Sequence, residues 1–276
     1  MTRTVTTVAV LRAALAGKKG GVGMVPTMGA LHDGHLSLVK EARRRAGTVV
    51  VSIFVNPTQF APTEDFGAYP RTLEQDLAKL AGQADIVFTP TAKEIYPEGF
   101  ATTIVPGGPA LGLESDFRPH FFGGVATVVA KLLIAAGPDL AVFGEKDYQQ
   151  LLVVRQLVRD LGLPVEIIPG PTLRESDGLA MSSRNAYLTP QERVVAGKLN
   201  LILKQAIAQA RAGGDLREAE KAAVELLHQA GFGPVDYVAI RDAENLSLIT
   251  TLERPARILA AARIGKTRLI DNMAIA

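Results

Sequence analysis

The run Val49-Val50-Val51-Ser52-Ile53-Phe54-Val55, closed by Asn56-Pro57, constrains the fold more than any other stretch of this chain. It is rich in β-branched residues and has no polar face. A strand of this kind must be covered on both sides, which is the condition inside a parallel sheet flanked by helices. Asp85-Ile86-Val87-Phe88 and Leu140-Ala141-Val142-Phe143 repeat the signal in shorter form. Helical patterns occupy residues 36–46, 72–81, 125–136 and 148–161. The alternation predicts a doubly wound α/β domain over residues 1–172, with ligands received beyond the carboxyl ends of the strands.

After Pro169-Gly170-Pro171 the pattern changes, and the two prolines around a glycine read as a connection between domains. Thr189-Pro190-Gln191-Glu192 is a helix start, with a capping threonine, proline in the first turn and glutamate at the third position. It predicts one long helix to about residue 212. Gly213-Gly214-Asp215 then breaks the chain and starts a second helix, which ends near Gly231. Strand-like segments follow at 235–240, 257–262 and 267–270. Residues 173–276 are therefore expected to form a smaller α+β domain, and a site is expected in the cleft between the two.

Composition excludes several classes of chemistry. With no cysteine among 276 residues, disulfides, thiol catalysis and cysteine-bound metals are ruled out. A net charge of +2 gives no basic arm for nucleic acid, and Arg43-Arg44-Arg45 reads as a solvated helix face. No apolar run approaches the length of a membrane span, and residues 1–12 lack a secretory signal pattern. A cytoplasmic protein with no membrane or nucleic-acid partner is expected.

Two of the four histidines fall in one turn, Met28-Gly29-Ala30-Leu31-His32-Asp33-Gly34-His35. A helix start there offers unpaired N–H groups and a positive dipole end, and two imidazoles add further donors for phosphate oxygens. A capping Asp33 with incidental histidines is the plainer reading. A zinc pair lacks an evident third ligand. Three other turns could join this one. Asn56-Pro57-Thr58-Gln59-Phe60 offers an amide for a hydroxy acid. Phe143-Gly144-Glu145-Lys146-Asp147-Tyr148-Gln149-Gln150 offers a glycine for close approach, a mobile positive charge and a capping Asp147. Met181-Ser182-Ser183-Arg184-Asn185 offers two hydroxyls and a guanidinium.

Together these turns resemble one family, the pantoate–β-alanine ligases. The matching segments are PTMGALHDGH at 26–35, VSIFVNPTQF at 51–60, YPRT at 69–72, FGEKDYQQ at 143–150, DGLAMSSRN at 177–185 and RLIDN at 268–272. The resemblance implies a Rossmann-like N-terminal domain, a C-terminal lid and a homodimer. It also implies a reaction in two steps: pantoate is adenylated by Mg2+-bound ATP, and β-alanine then displaces AMP. His35, His32 and Lys146 would be catalytic. Met28, Gly29, Ala30, Leu31, Asp33, Gly34, Gly144, Glu145, Asp147, Leu173, Met181, Ser182, Ser183 and Arg184 would join them around ATP. Gln59 and Gln150 would hold pantoate, Gln59 also meeting β-alanine. Which groups hold magnesium is not legible, and Asp76 is only a distant candidate.

The family pattern departs at Arg118-Pro119-His120-Phe121-Phe122-Gly123-Gly124-Val125, where Phe121 stands at the expected histidine and His120 lies one place earlier. Three other readings share some of these motifs: a nucleotidylyltransferase, an aminoacyl-tRNA synthetase and a non-catalytic nucleotide-binding module. The first need not carry Gln59 and Gln150, the second needs an RNA platform, and the third would bind ATP without turnover.

Overall fold

The computed structural model describes residues 2–62 and 64–275, so residues 1, 63 and 276 of the two expected domain ranges lie outside it. Six parallel strands form the first sheet: β1 (Arg3–Val5), β2 (Val22–Thr27), β3 (Thr48–Ile53), β4 (Ile86–Phe88), β5 (Leu140–Gly144) and β6 (Glu166–Gly170). Their spatial order is β1-β4-β3-β2-β5-β6. Alternate residues serve two cores. Met24, Val50, Ala141 and Phe143 face the helices Phe121–Ala136 and Tyr148–Asp160, whereas Val25, Val49, Val51 and Val142 face the helix Asp33–Arg45. Burial on both faces is why these strands carry no polar alternation.

The chain winds outward from β2 to β3 and β4, then returns to place β5 on the other side of β2. A crevice opens at such a reversal, beyond the strand ends, because the connecting loops diverge.

The second sheet is antiparallel, β7 (Val235–Asp242), β8 (Ala256–Ile264) and β9 (Thr267–Ile275), in that order. Ile240 and Ile258 pack with Leu199, Leu203 and Leu227 of the helices Lys198–Arg211 and Leu216–Ala230. Ala239 and Leu259 instead join the core of the parallel sheet. The α/β and α+β parts thus share a packed boundary.

Three expectations are corrected. The long helix is broken into Pro190–Ala196 and Lys198–Arg211. At the junction, Asn200 Nδ2 donates to the Gly197 carbonyl at 2.7 Å, and a Cβ at Gly197 would lie 2.4 Å from the Asp177 carboxylate. Pro169 and Gly170 do not form a connection, because they pair with Phe143 and Gly144 as the end of β6. Gly170 serves packing: a Cβ there would lie 2.1 Å from Leu38 Cδ2. Finally, the helix Asp33–Arg45 is capped by His32, and Asp33 is its exposed first residue. The Thr189 cap is as expected, with its hydroxyl accepting the Glu192 N–H at 3.2 Å and the Glu192 carboxylate accepting the Thr189 N–H at 2.8 Å.

Candidate active site

A cleft of about 1210 Å³ lies beyond the carboxyl ends of β2, β3 and β5, with β8 and β9 contributing its far wall. The turn after β2 is backed by buried groups. Gly29 and Ala30 take positive φ values of 84° and 49°. This kink turns consecutive N–H groups inward, where the Asp76 carboxylate accepts those of Ala30 and Leu31 at 2.9 and 2.8 Å. Lys79 Nζ donates to the Leu31 carbonyl at 2.5 Å. Asp76 is fully buried and does not line the cleft, so it braces the turn.

Held in this way, the turn presents two imidazoles with ring centroids 4.1 Å apart. His32 Nδ1 accepts the Gly34 N–H at 3.1 Å, and His35 Nδ1 accepts the His32 N–H at 3.3 Å. With both Nδ1 atoms used as acceptors, the neutral rings carry their protons on Nε2. Burial lowers the His32 pKa to about 4, helped by the Lys146 charge. Burial lowers that of His35 to about 3, with His32 and Lys146 adding to the effect. Two uncharged N–H donors therefore stand ready at neutral pH. Gly34 is required beside them, because a Cβ would come within 2.8 Å of the His32 ring.

The second wall begins at the short turn Glu145–Asp147 after β5. Lys146 Nζ lies 3.8 Å from Asp147 Oδ1. Asp147 holds the position before the helix Tyr148–Asp160, but its side chain makes no capping bond, contrary to expectation. The two glutamines that follow divide the work. Gln149 is buried and spends its amide on the Glu114 N–H and the carbonyls of Pro109 and Gly112. Gln150 lines the cleft.

Gln59 also lines the cleft, from the turn Pro57–Gln59. Its orientation is set by Asn56, which sequence reasoning passed over although it sits in the same motif. Asn56 Nδ2 donates to Gln59 Oε1 at 2.9 Å, and Tyr96 O–H donates to Asn56 Oδ1 at 2.8 Å. With its oxygen occupied, Gln59 offers a ligand the Nε2 end.

The Met181–Arg184 segment closes one side. The Met181 N–H donates to the Leu173 carbonyl at 3.0 Å, and Ser183 Oγ donates to the Ala30 carbonyl at 3.0 Å. Arg184 is paired with both carboxylate oxygens of Asp65 at 3.2 Å. Burial works to lower the Arg184 pKa, but the Asp65 charge outweighs it and holds the guanidinium above its ordinary value.

Of the expected site residues, Met28, His32, Gly34, His35, Gln59, Gly144, Lys146, Asp147, Gln150, Leu173 and Met181 to Arg184 all line this one cleft. Gly29, Ala30, Leu31, Asp33 and Glu145 do not; Leu31 is core, and Asp33 faces outward. His120 is also outside the lining, and its Nε2 is buried without a partner. Phe121 lines the cleft instead, with the Arg118 guanidinium 4.0 Å from its ring centroid. Arg118 in turn binds Glu64, Glu114 and the Gln59 carbonyl. Nothing in the sequence around Arg118 announced that network, since it joins segments far apart in the chain.

Among the described residues no group of three or more histidines and carboxylates is placed to hold a metal ion. Among the described residues no helix is long and apolar enough to cross a membrane. The arrangement offers an anion neutral N–H donors, an ammonium and two amides around one space, with the Arg184 guanidinium beside them already paired to Asp65.

A sequence model of the family described as pantoate–β-alanine ligase matches residues 3–274. A pantothenate synthetase from a Bradyrhizobium species is 60% identical over 264 residues, covering 95% of this chain and 93% of that protein. The crystal structure of pantothenate synthetase from Thermus thermophilus superposes with a TM-score of 0.94 at 50% identity, covering 99% of both chains. A pantoate–β-alanine ligase from Francisella tularensis, crystallised with "beta-gamma ATP" and β-alanine, gives a TM-score of 0.85 at 38% identity, covering 99% of this chain and 97% of that one.

Proposed function

The chain belongs to the pantoate–β-alanine ligase family, and from that premise we propose how its residues share the work of the reaction. It is an ATP-dependent ligase that condenses pantoate with β-alanine through a pantoyl adenylate. A pantoate carboxylate oxygen bonds to the α-phosphorus of ATP as the bridge to the β-phosphate breaks, and pyrophosphate leaves with the electron pair. The amine of β-alanine then attacks the acyl carbon. The carbon–oxygen bond to AMP breaks and the nitrogen loses its proton to solvent.

The observation that carries the role assignment is the convergence of His32, His35 and Lys146 on one side of the cleft with Gln59 and Gln150 also lining it. His32 and His35 would donate through Nε2 to α-phosphate oxygens as charge builds on them, and Lys146 would add a point charge to the same group. Being neutral, the imidazoles do not hold the carboxylate nucleophile in an unproductive ion pair. Gln59 and Gln150 would align pantoate, and Gln59 would also meet β-alanine. The backbone of residues 28–35 with Gly144, Glu145, Asp147 and Leu173 would surround the nucleotide. The segment Met181-Ser182-Ser183-Arg184 would close on the phosphates. Mg2+ would enter as part of the substrate, carried on ATP.

Residues 1–172 would form the substrate-binding domain and 173–276 a lid. A homodimer in the cytoplasm, with no membrane or nucleic-acid partner, completes the proposal. Light scattering tests the assembly. The reaction is tested by mixing protein with ATP and pantoate: pyrophosphate should appear only when pantoate is present, and pantothenate and AMP should appear in equal amounts once β-alanine is added. Pyrophosphate release that ignores pantoate would overturn the reading.

A further inference from the structure

The Arg268–Asn272 motif carries no assigned role, yet β9 brings Asn272 directly beneath the turn that bears Lys146. We propose that Asn272 is a positioning residue for Lys146, an inference that rests on the phosphate role given to that lysine. Asn272 is buried at 4% exposure. Its Nδ2 donates to the carbonyl of Glu145 at 2.9 Å and to that of Lys146 at 2.8 Å. These are the two peptide groups that flank the Lys146 Cα, so fixing both carbonyls fixes the direction in which the side chain leaves the backbone.

The orientation of the amide is settled by a third group. Arg257 Nη1 donates to Asn272 Oδ1. Reversing the amide would aim its NH2 at a guanidinium and its oxygen at two carbonyls, so only one orientation satisfies every partner. Arg257 is itself held, stacked 3.6 Å from the centroid of Tyr148, the residue that begins the helix after the Lys146 turn.

The neighbouring residue reaches another part of the same cleft. Asp271 accepts from Arg174 Nη1 and Nη2 at 2.8 and 2.9 Å. Arg174 also donates to the Gly178 carbonyl at 2.9 Å, and residue 174 bridges to Ala180 just before the Met181–Arg184 segment. Two consecutive residues of one strand therefore anchor the supports of both cationic loops, Lys146 and Arg184. A strand of the C-terminal sheet sets the spacing of positive charge around the phosphates.

A double-mutant cycle tests this. Single-turnover pantoate-dependent pyrophosphate release and ATP Kd are measured for wild type, Asn272→Ala, Lys146→Ala and the double variant, with melting curves recorded for each. Asn272→Ala should slow release about 10-fold when Lys146 is present, the scale of a small misplacement of a catalytic group. In the Lys146→Ala background it should change release less than about 2-fold. Asn272→Asp keeps the volume and the Arg257 contact but turns a carboxylate oxygen toward the two carbonyls. It should reproduce the loss, and it replaces the alanine variant in the cycle if that variant does not fold. Equal losses in both Lys146 backgrounds would overturn the positioning role while leaving the ligase reading intact. A Lys146→Ala enzyme as fast as wild type would remove the lysine's role and the positioning role with it. Failure of the ligase reading itself would show separately, as loss of pantoate dependence in wild type.

Discussion

His35 Nδ1 accepts the backbone N–H of His32, while His32 Nδ1 accepts that of Gly34, so each imidazole spends one nitrogen on the helix start and keeps the other for the cleft. Serine or aspartate would satisfy the same backbone donors. Histidine does so and still retains an N–H donor, which makes the cap part of the site.

This arrangement sets the pH dependence. An ordinary histidine pKa of 6.5 falls to about 3 at His35 and about 4 at His32. The unfolded chain therefore binds protons that the folded one refuses as pH drops below 6.5, so stability is full above that value and declines beneath it. By pH 5, His35 should account for about 2 kcal/mol of lost stability. Urea midpoints of wild type and His35→Gln at pH 7.5 and pH 5 check this: the advantage of wild type should shrink at the lower pH. A constant difference would show that His35 keeps an ordinary pKa. Pyrophosphate release should also show no inflection near 6.5 that His35→Gln abolishes.

Removing one transition-state donor is expected to slow adenylation by about 10²–10³-fold. His35→Ala and Lys146→Ala should each fall in this range in rapid-quench pyrophosphate release, with smaller changes in pantoate affinity. Rates close to wild type would remove that group from the chemistry.

Gly124 lies where the helix Phe121–Ala136 meets the Gln59 turn, and a Cβ there would lie 2.5 Å from the Thr58 carbonyl oxygen. Backbone, rather than a flexible side chain, would have to move. Gly124→Ala should cost about 1–3 kcal/mol by chemical denaturation. It should also raise the pantoate KM more than the ATP KM, because the displaced turn carries Gln59. Equal effects on both substrates would mean that the turn does not select pantoate.

Asp76 answers two N–H groups with two carboxylate oxygens. In Asp76→Asn one oxygen is replaced by a donor that faces another donor, at a cost of about 1–3 kcal/mol. Activity should fall with stability, since the braced turn delivers His32. Wild-type turnover in a destabilised Asp76→Asn protein would show that the turn holds its shape without this brace.

The fold was legible wherever burial on both faces left a mark, as in the Val49 to Val55 run, and wherever caps are local, as at Thr189. The cleft-lining parts of the motif turns were legible because each follows a strand whose end points at the same crevice. What stayed hidden depended on distant partners. Pro169-Gly170-Pro171 looks like a connection until Leu38 is seen to need the space at Gly170. The break at Gly197 falls where Asn200 and Asp177 come against it, three and twenty residues away. The roles of Asp76 and Asn272 appear only once residues tens or more than a hundred positions away are brought beside them.

The adjacency of β2 and β5 has a consequence for how the gene tolerates change. The histidine turn and the Lys146 turn are more than a hundred residues apart in sequence, but their separation is fixed by neighbouring strands, which lie ~4.8 Å apart. The intervening chain supplies no ruler. It includes an exposed stretch, Ala101-Thr102-Thr103, that belongs to no helix or strand. Foreign sequence spliced in at that stretch lengthens the path between the two turns without altering the gap across which they act. The spacing of the two turns is in this sense indifferent to insertion.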